Sequence, residues 1–306
     1  MKLLFFSAFV LIFSVLQAQT EVVSVNQLAT TESFDQVYTR NCAVTKNGDW
    51  QTSRGNQPLG WNWRKVAPEF EISPEGKTVY LQSQNQSRRA FIYTIAGTAL
   101  ALGALPVGMS GSPNNEFNAR AATALSMSLG GLGLITAGLI GANRSHQNRE
   151  LAVWLRNRDA IATELSPSLQ TDFKKIYNQQ TVYLYNGYGG FGSKYVKNGQ
   201  KYAGGLFGNR IKREFEGLEQ SMMSFKRYQQ NKKTGFAMYS IGLATAISSI
   251  FLASNGSNAT TNNIAYFGGL AVSIIGSNVM TAANNDLRDA IYFRNRDVVR
   301  QSLTLR

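Results

Sequence analysis

One charged tetrapeptide is written twice in this chain, as Arg156-Asn157-Arg158-Asp159 and as Arg294-Asn295-Arg296-Asp297. Two guanidiniums one residue apart can clamp a phosphate or a partner's acidic group, because the guanidinium fork is planar and always charged. They can equally pin their own helix to an acidic segment of the same chain. Two such segments exist, Glu69-Phe70-Glu71 and Glu214-Phe215-Glu216. Folding each apolar hairpin about its tip sets Glu71 opposite Arg158, and more loosely Glu219 and Glu216 near Arg296, so internal pairing is the favoured expectation. Trp154 and Tyr292 stand four residues before Arg158 and Arg296, a spacing that allows stacking. Arg156 can reach Asp159, and Arg294 can reach Asp297, across a single helical turn.

Other chemistry is sparse. His146 is the one histidine, so no histidine-based metal cluster or paired acid–base system is available. The stretch Gly187–Lys194, GYGGFGSK, has Ser before Lys, the reverse of the phosphate-loop order, and leads into a strand rather than a helix. Cys42 is the one cysteine, which rules out an intramolecular disulfide. A non-enzyme is expected, with no cofactor, metal or small-molecule substrate.

The elements that hold these residues are mainly apolar helices. Charged residues are 16% of the 306-residue chain and the formal net charge is +13. That charge suits lipid headgroups or other anionic partners. Residues 1–18 have one lysine, an apolar run and a small residue at Ala18, the pattern of a cleaved signal peptide. Export makes nucleic acid an unsuitable partner. Four uncharged apolar stretches follow, Phe91–Gly108, Ala122–Ala142, Phe236–Ser254 and Ile264–Ala282. Each approaches the length of a helical membrane span, and helices buried in a soluble bundle are the alternative. Small residues recur every four positions at Gly133, Ala137 and Gly141, and at Ala265, Gly269, Ser273 and Ser277. Such rows suit close helix packing in lipid.

Short polar tips join the stretches into two helical hairpins, with basic residues at the open ends. A basic open end belongs in the cytoplasm by the positive-inside rule, whereas a cleaved signal puts it outside. Insertion from the periplasmic side, tips first, reconciles the two. The inner or outer membrane stays open.

Matched residues then suggest an internal duplication. Glu69/Glu214, Phe91/Phe236 and Gly97/Gly242 stand at one constant separation. Gly131/Gly269, Ala152/Ala290 and Asn157/Asn295 stand at a second, slightly shorter one. The lost residues fall around the tip, where length changes belong. Ahead of the second hairpin, Thr181–Gly187 alternates as a strand does, and Lys194–Tyr202 reads as a β-hairpin turning at Asn198-Gly199. A weaker counterpart surrounds Asn47-Gly48. Ile211, Phe215, Leu218, Met222, Phe225 and Tyr228 line one face of an expected continuous helix, whereas Pro74 and Gly76 break its counterpart.

The expected fold is therefore mainly α with small β-hairpin elements, and two helical membrane hairpins from an internal duplication. After the signal peptide (1–18) come an extracytoplasmic segment (19–90), hairpin one (91–142) and a helix with linker (143–180). A β-hairpin with amphipathic helix (181–235), hairpin two (236–283) and a C-terminal helix (284–306) complete it. The Gln-Ala-Gln end of the signal, with a YVKNGQKY-type hairpin before Gly-rich helices, resembles uncharacterised exported envelope proteins of the Bacteroidota. The resemblance covers general layout and implies no activity. The leading expectation is a membrane-embedded structural subunit of a cell-envelope assembly, facing the periplasm. Membrane lipid, other copies of itself or other envelope proteins are its expected partners, and secretion or motility the suggested setting. An oligomeric pore with a polar path including Asn278, and a soluble periplasmic binding protein, are the alternatives.

Overall fold

The computed structural model describes residues 33–109, 116–185, 193–254 and 259–304. The expected signal peptide, the turns at both hairpin tips and the glycine-rich turn before Ser193 lie outside the described residues. Along the chain the elements are α1 (Phe34–Asn41), β1 (Val44–Lys46), β2 (Asp49–Thr52), β3 (Gly55–Pro58), a kinked 3-10 segment (Trp61–Phe70), α2 (Pro74–Met109) and α3 (Glu116–Ala162). The same succession follows: α4 (Pro167–Gln180), β4 (Val182–Leu184), β5 (Ser193–Lys197), β6 (Gln200–Gly205), a 3-10 segment (Ile211–Phe215), α5 (Glu219–Ser254) and α6 (Ala259–Thr304). The chain is mostly helical, with two small three-stranded sheets ordered β1-β2-β3 and β4-β5-β6.

Local chemistry sets the boundaries. Ser33 and Gln36 form a capping box that starts α1. Asn47-Gly48 and Asn198-Gly199 have positive φ at both positions, the geometry of a two-residue turn whose twist matches the flanking strands. Lys46 thus faces Asp49, and Lys197 faces Gln200. The two turns are alike in backbone, while the Asn47 hairpin is the shorter, with three paired positions against five. Pro74 does not break a helix. It is the first residue of α2, where its missing N–H costs nothing, and Ser73 Oγ accepts the Gly76 N–H at 3.0 Å. The expected continuous helix from Ile211 to Tyr228 is instead broken. Gly217 adopts φ +82°, a left-handed conformation, and α5 begins only at Glu219. Ile211, Phe215, Phe225 and Tyr228 are all fully buried nonetheless.

Two compact bodies emerge. Residues 57–160 form one, and residues 33–56, 161–183 and 193–304 belong to the other. The division differs from a simple cut between two sequence halves, because α1 and β1 pack on the last helix, α6. Tyr38 meets Tyr292 edge-on at 5.3 Å, Lys46 pairs with Asp289, and Arg300 reaches Asp35 at 2.6 Å.

In each body two long helices run antiparallel with backbones in contact. A Cβ built on Gly97 would lie 2.6 Å from the Gly131 carbonyl oxygen, and one on Gly131 would lie 2.6 Å from that of Gly97. In the other body, Gly242 and Gly269 meet in the same manner, at 2.5 and 2.6 Å. Gly138 lies against Ala90, and Gly276 against Gly235. The expected packing rows need correction. Gly133 and Ala137 are exposed, with nothing near Gly133, so the face in contact carries Gly131 and Gly138 instead, with Gly141 close to Ala90. In α6, Gly269 and Ser273 are buried in the contact, Ala265 is half-buried, and Ser277 is exposed. A four-residue row drifts around a helix of about 3.6 residues per turn, whereas the heptad step from Gly131 to Gly138 keeps closer to one line.

Of the four apolar stretches, those in α3 and α6 lie in helices long and apolar enough to cross a membrane. Gly242→Val would drive a branched side chain into the backbone of α6. Overpacking should lower stability by about 1–3 kcal/mol, read by thermal unfolding in detergent. Gly133→Ala should be neutral or stabilising, by up to about 1 kcal/mol. Equal losses for both would refute the assigned contact face.

Candidate functional site

Both Arg-Asn-Arg-Asp motifs sit on the long second helix of a pair, beyond the apolar stretch and level with the start of the first helix. In the 57–160 body, the hairpin register fixes that position: Ser145 Oγ donates to the Ser83 carbonyl at 2.8 Å, and Gly76 lies against the Ala152 carbonyl. Arg156 Nη2 pairs with Glu69 Oε2 at 2.6 Å, and Arg158 Nη2 with Glu75 Oε2 at 2.8 Å. Arg158 Nε also pairs with Asp159, whose other oxygen accepts the Ser73 hydroxyl at 2.6 Å. Ser73 therefore caps α2 and ties that cap to the motif.

The second motif repeats the first pairing. Arg294 Nη2 meets Glu214 Oε2 at 2.6 Å, and Lys197 Nζ takes the same carboxylate at 2.9 Å. Arg296 Nη2 donates to Gln220 Oε1 at 2.9 Å, while its Nε donates to Asp297 at 3.0 Å. Asn295 adds a strap: its amide donates to the Val182 carbonyl at 2.7 Å, and its oxygen accepts the Val182 N–H at 2.9 Å. That pair of bonds fastens the start of β4 to α6. Around each motif the aromatic packing is matched too, with Phe70 on Tyr80 at 4.3 Å and Phe215 on Phe225 at 4.8 Å.

Several expected contacts are replaced by others. Glu71 does not face Arg158; it binds Lys77 at 2.7 Å, on the turn before α2. An unbroken hairpin would need the helix to run back through Glu71, but α2 begins at Pro74, so Glu75 is the carboxylate within reach. Glu216 lies exposed on the Gly217 turn. Tyr292 packs on Tyr38, and Arg296 lies over Phe293 at 5.4 Å instead of over Tyr292. In each motif the aspartate is met by the arginine next to it, Arg158 or Arg296. Ser73, Asp35 and the Asn295 strap escape a reading of the sequence by charge spacing. The Ser73-Pro74-Glu75 order, a cap followed by Pro and an acid, is the signal that marks the first of them.

The arrangement is buried and charge-paired. Arg156, Arg158, Arg294 and both aspartates are all less than a tenth exposed. Burial pushes Arg294 below the usual arginine value, with Glu214 opposing that fall. Burial also works against Arg158, but its bonds to Asp159 and Glu75 outweigh it and raise the group. Cations held in this way are clamps between chain segments, not open phosphate-binding forks. Cys42 is buried in the second body. Among the described residues no group of three His, Cys, Asp or Glu side chains could hold a metal ion. Comparison with protein families, with curated proteins and with solved structures finds no match to this chain.

Removing Glu214 strands a buried guanidinium, so Glu214→Ala should cost about 3–5 kcal/mol. Glu69→Ala should cost less, because Glu69 is about one-third exposed and water can replace it. Glu216→Ala should stay within about 0.5 kcal/mol. Denaturant titration ranks the three, and a Glu216 effect as large as that of Glu214 would reject the assignment.

A pH effect follows from Tyr292, which burial pushes from 10.0 up to about 12. The folded state favours the neutral phenol, so its contribution is complete below pH 10 and is lost as pH rises through about 12. Tyr292→Phe should flatten that alkaline decline. An unchanged slope of stability against pH across this window would contradict it.

Proposed function

We propose that this chain is a non-enzymatic, membrane-embedded structural subunit of a bacterial cell-envelope assembly. It consists of two copies of one unit, each a small head carrying a helical hairpin. Four apolar helices, those of α2, α3, α5 and α6, form the embedded part. The heads present β-hairpin and helix surfaces to other envelope proteins on the periplasmic side.

The observation that carries this reading is the outward face of the hairpins. Leu125, Leu129, Leu132 and Leu139 on α3, and Ile264, Phe267, Ile274 and Ile275 on α6, are all exposed. So are Ile95 and Leu102 on α2, and Ile241 and Ile247 on α5. Apolar surface on that scale marks a lipid or protein contact. Glycine-backed helix contacts supply the close packing that holds helices together in lipid.

The duplication is supported by matched contacts. Gly97–Gly131 corresponds to Gly242–Gly269, Glu69–Arg156 to Glu214–Arg294, and Phe70–Tyr80 to Phe215–Phe225. The repeated element order points the same way. Export from the cytoplasm rests on the amino-terminal apolar run, and insertion tips first on the nearly uncharged tips. The layout resemblance to exported Bacteroidota proteins agrees with this setting.

One detail favours an oligomer, with the pore as its extreme form. Ser277 and Asn278 are exposed on the outer side of α6. A carboxamide facing hydrocarbon is costly, so that strip of α6 suits a second copy or a polar path.

Alkaline carbonate should leave the full chain in the membrane fraction, and mild detergent should release it within a larger complex. Release by carbonate would overturn the embedding. Ion flux through reconstituted vesicles would move the assignment from subunit to pore.

A further inference from the structure

The motif arginines are consumed by internal partners, yet another set of cations on the chain is not. Arg88, Arg89 and Arg144 are exposed at the open end of the first hairpin, and Lys233 is exposed at that of the second. None of these four makes a hydrogen bond or ion pair with another described residue. The nearby carboxylates do not answer them. Glu150 lies beside His146 at 3.7 Å and is itself buried, and Asp286 accepts the Asn231 amide at 2.9 Å.

On the first hairpin the three arginines share one level. Gly141 lies against Ala90, and Asn148 donates to Gln86 at 3.0 Å, which brackets Arg88 and Arg89 on one helix with Arg144 on the other. Aromatic pairs lie at the same junction, one step towards the tip. Trp61 meets Phe91 edge-on at 5.2 Å, and Phe207 meets Phe236 edge-on at 5.8 Å. Trp61 is 68% exposed, a large apolar surface with a donor N–H. From Phe91 to the end of α2 at Met109 is about 28 Å at the helical rise, close to the roughly 30 Å of a bilayer's hydrocarbon core. Cations, then aromatics, then one bilayer thickness of uncharged helix is the order expected of a chain entering a membrane from the head side.

We propose that the junction of each hairpin with its head is a docking belt for anionic lipid headgroups. Arg88, Arg89 and Arg144 neutralise lipid phosphates around the first hairpin, and Lys233 does so at the second. Trp61 and Phe91, with Phe207 and Phe236, sit at the hydrocarbon boundary and set the insertion depth. The belt rests on the embedded reading above, and adds to it a preferred lipid class and a fixed level.

The test uses the full chain reconstituted in phosphatidylcholine vesicles containing about one-third phosphatidylglycerol, a composition with a clearly negative surface. The Trp61 fluorescence component is obtained by difference from a Trp61→Phe variant. Acyl-brominated phosphatidylglycerol should quench it at least about twofold better than the same fraction of brominated phosphatidylcholine, given the attraction per basic residue near an anionic surface. That preference should vanish in the Arg88→Gln/Arg89→Gln/Arg144→Gln triple variant and return in the matching lysine variant. Retention after carbonate extraction should be unchanged in both, since these side chains are exposed. Equal quenching by the two lipids in a retained wild-type chain would overturn the belt and leave the embedding standing, as would a preference that survives in the glutamine variant. Loss of retention, with no quenching by either lipid, would overturn the embedding and the belt together.

Discussion

The contact on which each body depends is backbone on backbone, at Gly97–Gly131 in one and at Gly242–Gly269 in the other. Glycine removes the Cβ, so the two helices approach until carbonyl oxygen and Cα are neighbours. At that distance dispersion and weak Cα–H···O contacts act over a long seam without any need for water to be expelled. Nothing larger fits, so the seam also fixes the register. Once Gly97 lies on Gly131, the later matches follow along the helices: Ala90 with Gly138, Ser83 with Ser145, Gly76 with Ala152. The motif then has to arrive beside the start of α2. In the other body the same seam runs on to Ser221, which donates to the Ala290 carbonyl at 2.5 Å.

Where the seam ends, charge takes over. At that level the first helix stops, and a 3-10 turn brings a phenylalanine into the core between two acids. The acid before it, Glu69 or Glu214, turns inward to the first arginine of the motif; the acid after it turns outward. Phe70 and Phe215 are fully buried, and that burial fixes which flanking carboxylate faces the helix. A buried ion pair stabilises little beyond a hydrophobic replacement, but it rejects misalignment strongly, because a shifted register leaves a guanidinium unpaired away from water. The two bodies differ around this common pair. Glu75 in one is replaced by Gln220 in the other, where Asp35 from α1 comes within 3.9 Å of Arg296.

Much of this is legible in the residues. Asn-Gly between alternating runs marks both β-turns, because few residue pairs tolerate positive φ twice. The matched glycines point to the seam, since their separations are kept across the chain. The paired acids and arginines point to a clamp, but a register count matches the wrong acid to Arg158. Such a count treats helices as uninterrupted, and the turn between Glu71 and Pro74 is tertiary in origin. The same limit explains Gly217: the apolar spacing around it is helical, and buried Phe215 and Phe225 keep that spacing across a break. The packing of α1 on α6 has no local signal at all. It joins residues at opposite ends of the chain through shape and aromatic contact, which periodicity does not encode.

Two populations of cation thus coexist on the same helices, and their residue type does not separate them. Arg156, Arg158 and Arg294, beyond the seam towards the head, meet carboxylates, are buried and act as internal clamps. Arg88, Arg89, Arg144 and Lys233, at the level where uncharged helix begins, make no hydrogen bond or ion pair with another described residue. The difference follows from where the acids are. Glu69 and Glu214 each precede a phenylalanine that is fully buried, so each is carried to a defined place beside the motif helix. From Gln84 to Met109 on α2, and from Ala121 to Asn148 on α3, the sequence contains no acid at all. A cation placed there has no internal partner to find, and the counter-charge has to come from outside the chain. In water that would be dissolved salt. Beside a long, exposed, uncharged hairpin, the embedding proposed above would supply it from the phosphate layer of the membrane, so the proposed embedding and the proposed charge balance draw on one distribution of residues.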